Sequence, residues 1–200
     1  AKIKTLLKST KFNQESAVQG WVKTFRANRF ISLNDGSSLE NLQCVVDFES
    51  LEESFIKRIT SGAALHLEGT LVKSQGSGQT IELKVKKIKI YGDSDPKKYP
   101  IQPKKHSLEF LREKAHLRIR TSTFAAVMRI RSALSFAVHK FFQEKGFFYV
   151  NTPIITGSDA EGAGEMFRVT SLHPKNPPLD NNGVVDYKKD FFGKETNLTV

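Results

Sequence analysis

Val18-Gln19-Gly20-Trp21-Val22-Lys23-Thr24-Phe25 decides the fold of the first half of the chain. Val18, Gly20, Val22 and Thr24 alternate with Gln19, Trp21, Lys23 and Phe25, the period of two of a strand with its bulky groups on one face. Outward from it, a polar turn at Arg26 to Arg29 leads into Phe30-Ile31-Ser32-Leu33, a second short strand. Asn34-Asp35-Gly36 ends that strand, since these residues tolerate the positive φ of a tight turn. Leu42 to Phe48, rich in valine, is a third strand. Leu51, Phe55, Ile56 and Ile59 fall on one face of a short helix that Gly62 stops. Ala64 to Val72 and Thr80 to Tyr91 form a hairpin around Ser74-Gln75-Gly76-Ser77-Gly78. In its second arm Ile81, Leu83, Val85, Ile88 and Ile90 supply core while lysines point away. The even spacing slips between Val85 and Ile88, which predicts a bulge.

Three strands, a short helix and two more strands is the element order of the OB-fold, a five-stranded Greek-key barrel that often binds oligonucleotides. A small barrel without a ligand has the same order, because a fold does not dictate a function. Asp93 to Lys105, with Pro96, Pro100 and Pro103 among lysines, reads as a stiff basic linker. Leu108, Phe110 and Leu111 mark a helical turn within His106 to Ala115. A long helix follows from Ser122 to Lys145, with Phe124, Val127, Met128, Leu134, Val138, Phe141 and Phe142 on a broad apolar face and Gly146 as its C-cap. Phe147 to Val150 is expected as a short strand closed by Pro153. Leu172 to Asp190 reads as an irregular surface insertion.

Composition narrows the partners. With 38% hydrophobic and 26% charged residues the chain has material for real cores, and its apolar runs are too short for a membrane span. No secretory signal is read at Ala1. The single cysteine, Cys44, has no second thiol for a disulfide, and the five histidines show no ligand spacing with it, so a reducing cytoplasm and no metal site are expected. The net charge is +10, and lysines and arginines crowd Lys84 to Arg120, where only Asp93, Asp95, Glu109 and Glu113 oppose them. Such a field draws polyanions and gives salt-dependent binding to phosphates. A merely solvated basic surface is the plainer account.

Gly146-Phe147-Phe148-Tyr149-Val150-Asn151-Thr152-Pro153-Ile154-Ile155, after an amphipathic helix, resembles motif 1 of the class II aminoacyl-tRNA synthetases. Gly20-Trp21-Val22 resembles their aspartyl, asparaginyl and lysyl subgroup. His106 to Glu113, Ala115 to Arg120, Glu161-Gly162-Ala163-Gly164-Glu165-Met166-Phe167 and Asp190-Phe191-Phe192-Gly193-Lys194-Glu195 resemble the bacterial asparaginyl family. The resemblance runs from about Val18 onward. It implies an α+β chain: a five-stranded OB-fold anticodon-binding barrel over 1–92, a basic hinge over 93–116, and over 117–200 the start of a class II antiparallel α/β catalytic domain.

The same resemblance implies the chemistry. The family joins asparagine to tRNA(Asn) through asparaginyl adenylate, using ATP and Mg²⁺, as a homodimer in the cytoplasm. Phe30 and Gln43 match positions that stack on and hydrogen-bond anticodon bases, with Arg26 expected to contact a phosphate or base. The rival account makes Phe30 core and Gln43 an ordinary surface residue. Trp21 is expected at the core or rim of the barrel rather than on a base. Glu161 matches a carboxylate in a loop over the amino-acid pocket, suited to the substrate ammonium, and Ser158 and Asp159 share that loop; Glu165 is a candidate anchor for it. Pro153 matches a dimer-interface proline. His116, Arg118 and Arg120 read as structural. The arginines of motifs 2 and 3 are absent, so catalytic residues stay unassigned and the 200-residue chain is expected to be an inactive N-terminal fragment. An aspartyl-type enzyme and a non-catalytic tRNA-binding module are the alternatives.

Overall fold

Strands whose buried positions alternate with exposed ones close on themselves when a sheet twists far enough for its edges to meet. In the computed structural model, which describes residues 1–47, 51–76, 78–158 and 165–199, five strands do so. They are β1 (Gln14–Arg26), β2 (Phe30–Asn34), β3 (Leu42–Val45), β4 (Ala64–Lys73) and β5 (Ile81–Gly92), and the barrel order is β1-β2-β3-β5-β4. All pairs are antiparallel except β3 with β5, which closes the barrel in parallel. The inward set is Val18, Val22, Ile31, Leu33, Leu42, Cys44, Leu65, Leu67, Leu71, Ile81 and Leu83, each at most 2% exposed. Val85, Ile88 and Ile90 pack against it half-buried.

Two helical turns complete that core. Ile59 follows α2 (Glu53–Ile56), whose flanking Leu51 and Phe55 lean on the core. The second is α1 (Ile3–Leu7), which the sequence reading missed; it buries Ile3 and Leu6. Asp35 holds it in place, accepting from the Ile3 amide at 2.9 Å.

Two irregularities set which side chains face outward. Glu68 pairs with Lys87 and Gly69 with Val85, so Lys86 is the extra residue of the expected bulge. A second slip on β1 was not anticipated: Val22 pairs with Leu33 and Thr24 with Ser32, leaving Lys23 unmatched. The single-face reading of Trp21 and Phe25 is therefore corrected. Trp21 lies outside, 41% exposed, while Phe25 packs against the core. Longer-range bonds impose the slip, since Val22 donates to Ala63 O at 2.9 Å and accepts from Gly62 N at 2.8 Å.

The chain divides into two compact units, Ala1–Phe136 and Ala137–Val200. Within the first, Asp93 to Lys105 is pinned to the barrel. Arg58 grips Asp93 through two bonds of 2.8 and 2.9 Å, and Ile101 is buried. Helix α3 (Leu108–Glu113) starts at Ser107, whose hydroxyl accepts from Phe110 N. Helix α4 (Ser122–Glu144) ends in a Schellman turn: Gly146 at φ 84°, Phe147 N bonded to Phe142 O, and the two rings 5.4 Å apart. None of its residues is buried.

Phe147 to Val150, expected as a strand, has no ladder partner among the described residues. Strand-forming side chains make a strand only where a neighbour supplies hydrogen bonds. In the second unit β6 (Ile155–Thr156) pairs instead with β7 (Asn197–Leu198). The 172–190 stretch is irregular as expected, apart from a Leu179–Val185 bridge and a single helical turn at Tyr187–Lys189. Among the described residues no helix is long and apolar enough to cross a membrane.

Candidate nucleic-acid interface

The β1–β2 turn places the first candidates. Ala27 and Asn28 both adopt positive φ (51° and 46°), the two-residue reversal whose twist matches a hairpin. With Arg26 paired to Phe30, Ile31 and Leu33 go inward, so Phe30 and Ser32 go outward. Across β3, Val45 stands opposite Phe30 and Gln43 opposite Ser32. Phe30 and Gln43 thus share the outer face as diagonal neighbours, with exposed Arg26 beside them on β1. The Arg29 guanidinium lies 5.8 Å from the Phe30 ring centroid. Phe30 is half-buried, so the core reading of this aromatic is not what the barrel shows.

Sequence reasoning missed one member. Glu82, opposite Gln43 in the parallel β3–β5 pair, is 9% exposed, and its Oε1 accepts from Gln43 Nε2 (3.1 Å), Ser74 Oγ (2.6 Å) and Gln79 Nε2 (3.1 Å). The carboxylate fixes the Gln43 amide and ties the β4–β5 loop to the same face. A flat ring beside an oriented amide, ringed by guanidinium groups, can stack on an unpaired base and read its edge. No local pattern marks Glu82; only the strand pairing brings it to Gln43.

Trp21, the other aromatic weighed, lies on the rim. Arg120 stacks its guanidinium 4.8 Å from the indole, and the Lys23 ammonium donates to the Arg120 carbonyl. Burial, then the Arg120 charge, lowers the Lys23 pKa from its ordinary value. Arg118 lies over Phe124 at 4.5 Å. These contacts agree with the structural role expected for Arg118 and Arg120.

In the second unit Ser158 is exposed, its amide bonded to Thr156 Oγ1. Gly157 lies against Lys194, where a Cβ would come within 3.2 Å of that side chain. Asp159 and Glu161 lie outside the described residues. Glu165 and Pro153 are exposed. Asp190 anchors the neighbouring segment: it accepts from Ser171 Oγ (2.7 Å), Ser171 N (2.9 Å), Thr170 Oγ1 (2.5 Å) and Phe191 N (2.8 Å). The Ser171 hydroxyl, then Thr170 and the amides, hold its carboxyl well below the ordinary carboxylate range. Among the described residues no group of three or more His, Cys, Asp or Glu side chains converges as metal ligands would.

Comparison with known proteins agrees with this geometry. Residues 17–91 match the OB-fold nucleic acid binding domain, and residues 107–179 match the class II tRNA synthetases for D, K and N. The chain is 53% identical over its full length to the asparagine–tRNA ligase of Cytophaga hutchinsonii and covers 44% of that relative. It is 52% identical over 94% of its length to that of Porphyromonas gingivalis, covering 40% of it. Asparaginyl-tRNA synthetase from Pyrococcus horikoshii, solved with asparaginyl-adenylate, superposes with a TM-score of 0.72 over 84% of this chain and 40% of that one, at 22% identity. The Entamoeba histolytica asparaginyl enzyme gives 0.73 over 97% of this chain and 41% of that one, at 20% identity. The chain spans less than half the length of these relatives. The chain therefore joins a segment that matches the OB-fold nucleic acid binding domains to one that matches the class II tRNA synthetases, and along its whole length it is similar to asparagine–tRNA ligases.

Proposed function

We propose that the protein carrying this chain is an asparagine–tRNA ligase, and that the chain supplies its anticodon reader. The observation that carries the reading is the Phe30–Gln43–Glu82 arrangement on the outer face of the barrel. Phe30 offers a ring for an anticodon base. Gln43, oriented by Glu82, offers its remaining amide hydrogen and carbonyl to a base edge, and Arg26 and Arg29 meet the backbone. In the second unit Glu161 is assigned to the asparagine ammonium, with Ser158 and Asp159, near it in sequence, as further substrate contacts. Asparaginyl adenylate forms from asparagine and ATP, and the acyl group passes to tRNA(Asn), by positioning and charge stabilisation. Among the described residues no carboxylate cluster fits Mg²⁺.

Homodimerisation belongs to the same proposal. Leu134 (61% exposed) and Phe136 (70%) in the first unit, and Phe148 (90%) in the second, are apolar side chains that a second copy would cover, and Pro153 is assigned to the dimer contacts with them. A cytoplasmic location accords with the lone thiol, Cys44, which burial keeps protonated.

Binding of labelled tRNA(Asn) by the chain tests the reader. Phe30→Ala should weaken binding by about 1–3 kcal/mol while leaving the circular dichroism spectrum unchanged. Unchanged affinity would remove Phe30 from the interface. ATP–pyrophosphate exchange with asparagine and with aspartate, measured on the longer enzyme, separates the asparaginyl reading from the aspartyl one.

A further inference from the structure

The barrel has a second outward face, across the ring from the reader. In the strand order β1-β2-β3-β5-β4, β4 neighbours neither β2 nor β3, so what projects from β4 and the far half of β5 stands away from Phe30 and Gln43. Three strands define its rows: Gln19, His66 and Lys89 in one, Ala17, Glu68 and Lys87 in the next. Beyond them lies Tyr91, the unmatched residue of a second β5 irregularity, 54% exposed. Lys89 sets its ammonium 5.3 Å from the Tyr91 centroid, and the His66 ring lies 5.7 Å from it.

The charge of this face is unbalanced. Lys86, Lys87 and Lys89 are all exposed, and Lys87 keeps 80% of its side chain in solvent. Two carboxylates oppose them, and both are engaged. Glu68 meets His66 Nε2 at 3.1 Å and Lys87 at 3.7 Å; Glu15 meets Lys86 at 2.6 Å and the Thr70 hydroxyl at 2.9 Å. Alternate residues of a strand stand about 6.8 Å apart on one face, so Lys87 and Lys89 form a row of cations rather than a point. This face differs from the reader in that, among the described residues, no amide on it is held by a carboxylate as Gln43 is by Glu82. Cations in a row, with a tyrosine able to lie on a sugar and donate to phosphate, suit a nucleic-acid backbone and not a base edge.

We propose that the face around Lys87, Lys89 and Tyr91 is a second RNA-contact surface, which takes the phosphate–ribose backbone of a helical stem while the opposite side of the barrel reads the loop. The proposal rests on the reading that this barrel binds tRNA. It divides the work of the barrel, with sequence read on one side and a polyanionic rod gripped on the other.

The test compares two probes, a full tRNA(Asn) transcript and the unpaired seven-nucleotide anticodon loop, titrated against the chain at several salt concentrations. Replacing Lys87, Lys89 and Tyr91 together by Ala should weaken transcript binding about tenfold and reduce the salt slope by about two, with no change for the loop. Phe30→Ala should weaken both probes. Transcript binding at parental strength by the triple variant would overturn the proposal, as would an equal loss for both probes, which would merge this face with the reader. Displacement of the transcript by polyglutamate at equal charge concentration would reassign the face to an acidic protein and also overturn it. If Phe30→Ala changes neither probe while the triple variant still loses the transcript, the reader fails and the stem surface stands.

Discussion

Asp190 shows how a single carboxylate organises a segment. Its two oxygens gather two hydroxyls and two amides from Thr170, Ser171 and Phe191, which locks the Val169–Ser171 backbone to the Phe191-Phe192 turn. Those bonds favour the ionised form, so its pKa in the folded chain lies below the ordinary 3.8. The unfolded state then binds the proton more readily, and the contribution is fully present above pH 3.8 and lost as pH falls through the lower folded value. Asp190→Asn should therefore lower the melting temperature at neutral pH. The gap from the parent should shrink as the pH is taken below 3.8; a gap constant across that range would mean the charge is not what the hydroxyls hold. Glu82 makes the complementary point. It collects its donors at one oxygen, and one of them is Gln43, so in the proposed reader the same device would orient a recognition group.

Among the elements, β5 and its bulges do most to place side chains. Gly69 faces the Lys86 bulge, where an added Cβ would fall 2.1 Å from the Lys84 carbonyl oxygen. Backbone cannot retreat as a flexible side chain can, so Gly69→Ala should cost about 2–3 kcal/mol, read from the urea midpoint. Gly36→Ala is the contrast. Nothing lies within 4 Å of its added Cβ, and only its φ of +80° resists, a cost of about 1–2 kcal/mol. The Lys86 bulge was legible because Val85 and Ile88 break the count of apolar residues along one strand. The Lys23 bulge was not, because Trp21-Val22-Lys23-Thr24-Phe25 alternates without fault and the slip is imposed from Gly62 and Ala63, some 40 residues away. Phe147 to Val150 failed in the opposite way: the residues favour a strand, but pairing is a property of a neighbour. Glu82 and the Lys89–Tyr91 patch were hidden for the same reason, since cross-strand register cannot be counted along one segment. Phe30 and Gln43 were legible only through family resemblance, and the barrel supplies what residue type could not, their common outward face.

At the level of the whole molecule, the contrast lies between a closed barrel and an apolar helix surface left bare. The barrel's inward-facing leucines, isoleucines and valines are at most 2% exposed, while α4 carries Ile130, Leu134, Phe136 and Phe141 at 56–70% exposure. An aromatic side chain moved from water to a packed surface is worth about 1.5–3 kcal/mol. The chain should therefore self-associate as its concentration rises, observed by sedimentation velocity, and Phe136→Asp should weaken that association about 30-fold, roughly 2 kcal/mol. A chain that stays monomeric across the range, with parent and variant alike, would refute a role for this face in dimerisation.

The parallel closure of β3 against β5 also has a consequence in time. Every ladder partner of the barrel lies between Gln14 and Gly92, and α1, which adds Ile3 and Leu6 to its core, precedes them all. During synthesis the barrel can shut as soon as its fifth strand has left the ribosome, before α4 exists. Its longest-range pairing is β1 with β4, which spans 43 residues at Trp21–Ala64 and 57 at Gln14–Leu71, while β3 with β5 spans 39 at Gln43–Glu82 and must wait for the last strand. The barrel is thus finished while the exposed phenylalanines are still unmade, so a nascent chain has closed its first core before its bare apolar surface emerges.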